Sequence, residues 1–263
     1  NSNQKKWNFN YLNSNKQFQK KHFYRIKKLL SDSKGNIWVG SNIGLSKIQQ
    51  LSNTYKTEIF ETFNNEKTSS SFPVFAIEED HLGSIWAGYF GNGLLKLSYN
   101  NNTRNYEYLS YKNDPENSES LSNNTIRVIT EDSDKNLWIG TAFGLNKLKY
   151  NKDGSVAFER FLKNEKENNS LSNNHVLDIF QSKNGNIYVG TFGGGLNEIR
   201  ELENNKYLFK QYTIENGLPS NVVYHIEEDS KGNLWLMHIH GMSKLNLTTG
   251  GVNYFENQPN LNE

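Results

Sequence analysis

Residues 135–141 read Lys-Asn-Leu-Trp-Ile-Gly-Thr, and this motif recurs with small changes along the chain. Its five copies occupy residues 35–41, 83–89, 135–141, 185–191 and 232–238. The aromatic residue of the motif stands at Trp38, Trp86, Trp138, Tyr188 and Trp235, at spacings of 47 to 52 residues. A nearly constant period of this size indicates a repeat protein.

Each copy of the motif lies in a unit of four predicted strands. An apolar-alternating stretch such as 222–229 precedes it, and an Asp-containing turn joins the two strands as a hairpin. A third strand such as 144–148 and an aromatic outer strand such as 105–109 follow. Because one thin sheet cannot bury both faces, the copies must stack, as β-propeller blades do. We therefore predict an all-β protein, a β-propeller of four-stranded antiparallel blades over residues 1–263, with about five blades present.

The repeated aromatic residue is predicted to wedge between neighbouring blades, because its ring buries a large area. The glycine two positions later leaves room for that packing. Two copies depart from the pattern. The fourth has Tyr188 in place of Trp, and the fifth has Met237 and His238 where the others have Gly followed by Ser, Thr or Tyr. These departures leave open whether blade five packs like the others.

The stretch at 131–148 resembles the two-component regulator propeller repeat, with a Glu-Asp-Ser start and a Leu-Trp-x-Gly-Thr core. The stretches 121–124, 171–174 and 216–223 are similar to the segments that lead into the innermost strands in that family. The resemblance covers about residues 20–257. It implies the periplasmic sensor region of a membrane-bound hybrid histidine kinase, commonly one that responds to carbohydrate. In such proteins the blades precede a further all-β module, a membrane helix and the kinase.

The strand count predicts an incomplete ring. Residues 7–11 predict an outer strand ahead of the first blade, and residues 252–255 predict the outer strand of the fifth. Five inner triplets would then accompany six outer strands. We therefore expect either a segment of a larger ring, such as a seven-bladed one, or a ring completed outside these residues.

Composition excludes several classes of protein. The chain has no cysteine, which removes disulfides, thiolate metal sites and a cysteine nucleophile. A net charge of +1 provides no global field to attract nucleic acid or an acidic membrane surface. Mean hydropathy is −0.79, and no apolar run is long enough to span a bilayer. We expect no nucleic-acid partner, no membrane contact by these residues and no cofactor.

No catalytic motif stands out in the sequence. Nucleophile elbows, P-loops and dinucleotide-binding fingerprints are absent. The acidic clusters at 78–80, 131–132 and 227–229 recur at one repeat position, which favours a structural role in the hairpin turn. His238 and His240 are the one concentrated histidine pair, and alternate residues of a strand point to the same side. The pair could act as a base or as metal ligands, or form ordinary surface hydrogen bonds; we assign no catalytic residue and no metal site.

One face of the propeller is the predicted binding surface. The loops between second and third strands share this face with the approach loops, which lead into the innermost strands. Aromatic rings stack on sugar C–H faces, and side-chain amides bond to hydroxyls. The predicted ligand-binding residues are Tyr89, Phe90, Asn92, Phe143, Phe192, His238, His240, Asn124 and Asn174. The alternative for each Phe is that it seals a contact between blades.

These observations favour a non-catalytic periplasmic sensor module that detects an oligosaccharide and signals to a kinase. Its expected partners are the remaining sensor and kinase domains of the same receptor and a second copy in a homodimer. Two alternatives remain open. One is a propeller lyase or hydrolase that uses His238 and His240, and the other is a scaffold that binds only protein.

Overall fold

The computed structural model describes residues 25–51, 54–60, 72–151 and 155–256, which form five sheets of four antiparallel strands. In each sheet the strands lie side by side in chain order. The strands of the first three blades are β1 (Ile26–Ser31), β2 (Ile37–Ser41), β3 (Gly44–Leu51), β4 (Thr54–Phe60), β5 (Val74–Glu79), β6 (Ile85–Tyr89), β7 (Leu94–Asn100), β8 (Asn105–Tyr111), β9 (Ile126–Glu131), β10 (Leu137–Thr141), β11 (Gly144–Tyr150) and β12 (Val156–Phe161). The strands of the last two are β13 (Val176–Gln181), β14 (Ile187–Thr191), β15 (Leu196–Leu202), β16 (Lys206–Tyr212), β17 (His225–Glu228), β18 (Asn233–His238), β19 (Gly241–Asn246) and β20 (Val252–Glu256).

The predicted all-β propeller architecture is confirmed, with five blades among the described residues. Two short 3-10 turns, Glu203–Asn205 and Ile214–Asn216, are the helical elements of the described residues. No helix within those ranges is long and apolar enough to cross a membrane. The outer strand predicted at residues 7–11 lies outside the described residues.

An aspartate organises the hairpin between the first and second strands of four blades. In blade three, Asp132 Oδ1 accepts hydrogen bonds from the backbone N–H groups of Asp134 and Asn136 at 3.0 and 2.8 Å. Its Oδ2 accepts from Trp138 Nε1 at 2.8 Å. The equivalent hydrogen bonds in the other three blades are accepted by Asp32, Asp80 and Asp229. The aspartate thus fixes both the turn and the Trp ring, which agrees with the structural role predicted for the acidic clusters.

Blade four lacks this arrangement, because Ser182 replaces the aspartate and Tyr188 replaces the Trp. Here the side chain of Asn184 donates to the Tyr188 hydroxyl at 3.3 Å. The two replacements therefore occur together: a phenol needs no carboxylate acceptor in the turn.

The aromatic wedge and its neighbouring glycine pack as predicted. Trp86 lies in one apolar cluster with Ile126 and Ile129 of the next blade, and both are buried. A Cβ added at Gly88 would lie 2.4 Å from Ile126 Cγ2. Because a side chain there would collide with the next blade, glycine permits the close approach of the two sheets.

The five blades follow one another as an open arc. The first strand of each blade lies against the first strand of the next, from β1 to β17 in chain order. Among the described strands, blades one and five share no extensive contact. The face of β1 that points away from blade two is therefore open, and Leu29 on that face is 57% exposed.

Candidate functional site

The predicted face is held together by backbone hydrogen bonds between neighbouring blades. The loop that joins the second and third strands of one blade donates to the approach loop of the next. Gly93 N–H bonds to the Asn124 carbonyl at 2.8 Å, and Gly144 N–H bonds to the Asn174 carbonyl at 2.6 Å. Gly193 and Gly195 both donate to the carbonyl of Asn221. These bonds make the face a continuous rim rather than a set of independent loops.

The asparagines predicted to bind ligand also fasten this rim through their side chains. Asn124 Oδ1 accepts from Asn113 N–H, and Asn174 Oδ1 accepts from Lys163 N–H, both at 2.7 Å. Asn221, which holds the same repeat position in blade five, accepts through Oδ1 from Ile214 N–H at 2.9 Å. Each donor follows the outer strand of the preceding blade. The carboxamide oxygens therefore serve the fold, and only the amide N–H groups are left to meet a ligand.

Tyr89 does not present its ring on the face. It is 1% exposed and lies in the apolar cluster between blades one and two, with Trp38 and Val74. The reason is strand alternation: Trp86 points toward blade three, so Ala87 and Tyr89 point toward blade one. Its placement among the surface residues is corrected accordingly. Asn92, three residues further along the chain, is also buried.

His238 and His240 do not form the pair that alternation predicted. Strand β18 ends at His238, and His240 belongs to the turn that follows. His238 is buried, with Nδ1 2.9 Å from the Val222 carbonyl and Nε2 2.8 Å from Ser243 Oγ. Burial lowers the pKa of His238. Both ring nitrogens thus have partners inside blade five, whereas His240 is exposed.

His240 instead borders an open depression at the end of blade five. The depression has a volume of about 780 Å³ and is lined by Met237, His238, Ile239, His240, Gly241, Met242, Phe255 and Glu256. No group of three His, Cys, Asp or Glu side chains within the described residues could hold a metal ion.

Three exposed rings remain on the rim from the predicted set. Phe90, Phe143 and Phe192 are about half exposed. Phe90 and Phe192 each begin a four-residue loop, whereas Phe143 is the second residue of a two-residue turn. The Phe90 ring packs against Phe75 of the same blade, with centroids 5.6 Å apart. The exposed surface of these rings is compatible with stacking on a ligand.

A group of residues that the motif search missed connects two of these rings. The carbon of the Arg127 guanidinium lies 5.6 Å from the Phe75 centroid and 5.5 Å from that of Phe90. On the next blade, the His175 ring lies 5.4 Å from Phe192. We call Phe75, Phe90, Arg127, His175 and Phe192 the inner-rim cluster. It spans blades two to four.

The electrostatics of the inner-rim cluster follow from burial and positive charge. Burial lowers the pKa of Arg127, although a guanidinium stays charged at neutral pH. Burial, and then the charge of Arg127, lower the pKa of His175. The cluster therefore combines a fixed cation with a neutral imidazole and three aromatic rings. A comparison of the repeats could have found it, because Phe75, Arg127, Leu177 and Tyr224 share one repeat position whose residue type changes from blade to blade.

Comparison with known proteins supports the repeat assignment. The family described as two component regulator propeller matches residues 120–143, 170–193 and 217–238. Histidine kinase P4 of Formosa agariphila is 31% identical over 235 residues, which cover 86% of this chain. The chain spans only 16% of the length of that relative.

Solved structures show the same fold. An extracellular domain assigned to a hybrid two-component system of B. thetaiotaomicron superposes with a TM-score of 0.68 at 21% identity, over 89% of this chain and 30% of that one. Virginiamycin B lyase from Staphylococcus aureus superposes with a TM-score of 0.60 at 14% identity, over 89% of this chain and 70% of the lyase. At these identities the likeness is one of fold alone. The comparisons together show a β-propeller in which residues 120–143, 170–193 and 217–238 match the two-component regulator propeller repeat.

Proposed function

We propose that this chain is a non-catalytic sensor propeller of a periplasmic histidine-kinase receptor, and that it binds an oligosaccharide on its loop face. The histidine kinase relative and the repeat family support the receptor context. The half-exposed rings of Phe90, Phe143 and Phe192 on the bonded rim carry the binding proposal. Aromatic rings on a rigid scaffold suit sugar C–H faces, because little conformational entropy is lost on binding.

Titration calorimetry of this chain with neutral and acidic oligosaccharides tests the proposal. We expect at least one saccharide to bind, and Phe192→Ala to weaken that binding about tenfold or more. Leu208→Ala is the matched control, because Leu208 is a half-exposed apolar residue on the outer strand β16. Absence of binding across the panel, or equal binding by both variants, would contradict the loop-face site.

The lyase or hydrolase alternative depended on His238 and His240. Both ring nitrogens of His238 already have protein partners, so the geometry offers no free base there. The described residues give no separate observation in favour of catalysis, and we do not propose it.

We also propose that the ring continues beyond blade five in the receptor, so that another blade covers Trp235. In blade three, the ammonium of Lys147 lies over Trp138 and over Tyr207 of the next blade, at 5.2 and 5.4 Å. In blade five, Lys244 lies over Trp235 at 5.6 Å without a following tyrosine among the described residues. Blade five therefore keeps half of an interface that the next blade would complete with an aromatic ring.

The expected partners are the other receptor domains and a second copy of the receptor. Sedimentation of this chain measures the expected homodimer directly, and a monomer at all concentrations would limit dimerisation to other domains.

A further inference from the structure

We infer that the inner-rim cluster binds the acidic group, carboxylate or sulfate, of an acidic saccharide. This inference rests on the proposed sugar-sensing function and adds the charge of the ligand. The site is formed by Arg127 and His175, with the rings of Phe75, Phe90 and Phe192 around them.

Arg127 is a cation held in place without an anionic partner. Its guanidinium lies over two phenyl rings, and its Nε atom is buried. It makes no hydrogen bond or ion pair with any residue in the described part of the chain. A buried donor without an acceptor is costly, and a charged one more so. An acidic ligand group beside the guanidinium would balance its charge.

Two other arginines of the propeller donate to protein acceptors. Arg160 donates to the carbonyls of Ser120 and Asn117, both at 2.7 Å. Arg200 donates to Glu198 through Nε and Nη2, at 2.8 and 2.6 Å. Arg127 has no such acceptor among the described residues, although its Nε atom is buried.

His175 supplies a second polar group beside Arg127. Its Nε2 atom is buried and has no hydrogen-bond partner among the described residues. The backbone is held, because Phe192 N–H donates to the His175 carbonyl at 2.9 Å. The imidazole ring also packs on Phe192. His175 is thus held by the rim, and its buried Nε2 atom has no protein partner.

The combination favours an acidic saccharide over a neutral one. A planar guanidinium matches carboxylate and sulfate oxygens in a bidentate geometry. The flanking rings offer apolar faces to a sugar ring. A neutral sugar could stack there, but it would leave the charge of Arg127 uncompensated.

Calorimetric titration of this chain at low ionic strength, where screening is weak, tests the inference. The carboxylate probe is tetragalacturonate, with its methyl ester as the neutral counterpart. The sulfate probe is a kappa-carrageenan hexasaccharide, with its desulfated form, the neutral beta-carrageenan hexasaccharide, as the counterpart. We expect one acidic probe to bind at least about tenfold more tightly than its neutral counterpart, which is the usual scale of a charge-assisted hydrogen bond. The probe that binds identifies the acidic group.

Variants assign the binding to the cluster. Arg127→Gln should weaken the acidic probe about tenfold or more, whereas Lys206→Gln, which removes an exposed cation on β16, should leave its affinity unchanged. Arg127→Lys keeps the charge but loses the fork, so intermediate affinity is expected. Circular dichroism checks the fold, and Arg127→Lys serves as the test if Arg127→Gln does not fold.

The outcomes separate this inference from the proposed function. Binding of neutral probes only, or acidic binding that is unchanged in the Arg127 variants, would overturn the acidic site and leave sugar sensing in place. Absence of binding by every probe would contradict both.

Discussion

Trp138 and Trp235 occupy the same repeat position in blades three and five, but the two indoles meet different surroundings. Trp138 is 2% exposed and has Phe161 of its own blade and Tyr207 of the next blade beside it. Trp235 is half-buried and stacks on Phe255 of its own blade, with centroids 5.2 Å apart. Each indole thus packs on one side against an aromatic ring of its own blade. The neighbouring blade, where it is present, covers the other side.

The same contrast appears two residues further along each strand. Gly140 faces Val176 of the next blade, where an added Cβ would lie 2.5 Å from Val176 Cγ1. Met237 holds that position in blade five and is 45% exposed. Close contact selects glycine, whereas the open face tolerates a long side chain. A blade that packs on this face must therefore leave room for Met237.

The largest difference is expected from removal of the two indoles. Trp138→Ala should lower the free energy of unfolding by about 3–5 kcal/mol, because it opens a cavity between blades and leaves Asp132 without its ring donor. Trp235→Ala should lower it by roughly 1–2 kcal/mol, since a half-buried ring loses less packing. Urea denaturation followed by circular dichroism measures both. Equal losses would contradict the contrast between the covered and open faces.

The glycine position should show the next largest difference. Gly88→Ala places a methyl group against Ile126 and should lower the free energy of unfolding by about 2–3 kcal/mol through overpacking. Met237→Ala, at the equivalent position, should change it by no more than about 0.5 kcal/mol, as exposed substitutions usually do. A tolerated Gly88→Ala would show that the blades separate more easily than the packing indicates.

A half-buried glutamate on the covered side, Glu78, should make the free energy of unfolding depend on pH. Burial raises the pKa of Glu78 to about 7, above its ordinary 4.5. The folded chain therefore binds this proton more tightly than the unfolded chain, and the stability present below about pH 4.5 is lost as pH rises through about 7. At about pH 8, the free energy of unfolding of Glu78→Gln should therefore be higher than that of the parent chain by on the order of 2 kcal/mol. Near pH 4, the two values should be equal.

The equivalent glutamate on blade five provides the control. Glu227 is exposed, so Glu227→Gln should change the free energy of unfolding by no more than about 0.5 kcal/mol at either pH. Denaturation curves at the two pH values give the comparison. A pH-independent effect of Glu78→Gln would mean that Glu78 is charged in the folded chain.

The smallest effect concerns hydrogen bonds between blades at the hairpin end. Glu79 accepts from Ser33 N–H and from Ser33 Oγ, at 2.6 and 2.7 Å, and Glu228 accepts from Lys183 N–H in the same way. Glu79→Ala should cost about 1 kcal/mol. Ser31, the equivalent residue in blade one, is exposed, and Ser31→Ala should be neutral within the error of the denaturation curve. If both variants lowered the free energy of unfolding by similar amounts, the hydrogen bond would not be the cause.

Features that recur in every repeat could be predicted from the sequence. The blade number, the Trp wedge and the glycine gap each follow from a pattern seen several times, because stacked copies impose the same packing demand. Residues that recur at one repeat position tend to stabilise the blades rather than bind a ligand. The prediction for Asn124 and Asn174 did not take this into account. Their carboxamide oxygens indeed hold the rim.

Features that occur once were harder to predict. The orientation of His238 depends on where β18 ends, and strand ends are not fixed by alternation. Arg127 and His175 come together from two blades, and each is unique at its repeat position. Sequence alone gives their identity but not the aromatic rings that surround them.

Cysteine labelling tests the open arc most directly, because the chain contains no cysteine of its own. Met242→Cys places a thiol on the open face of blade five, where Met242 is 48% exposed, and Ala87→Cys places one at a fully buried site between blades one and two. With iodoacetamide under native conditions, the thiol at position 242 should react nearly as fast as in urea. The thiol at position 87 should react at least about a hundredfold more slowly, since it requires the blades to open. Protection at position 242 comparable to that at position 87 would contradict the open fifth blade.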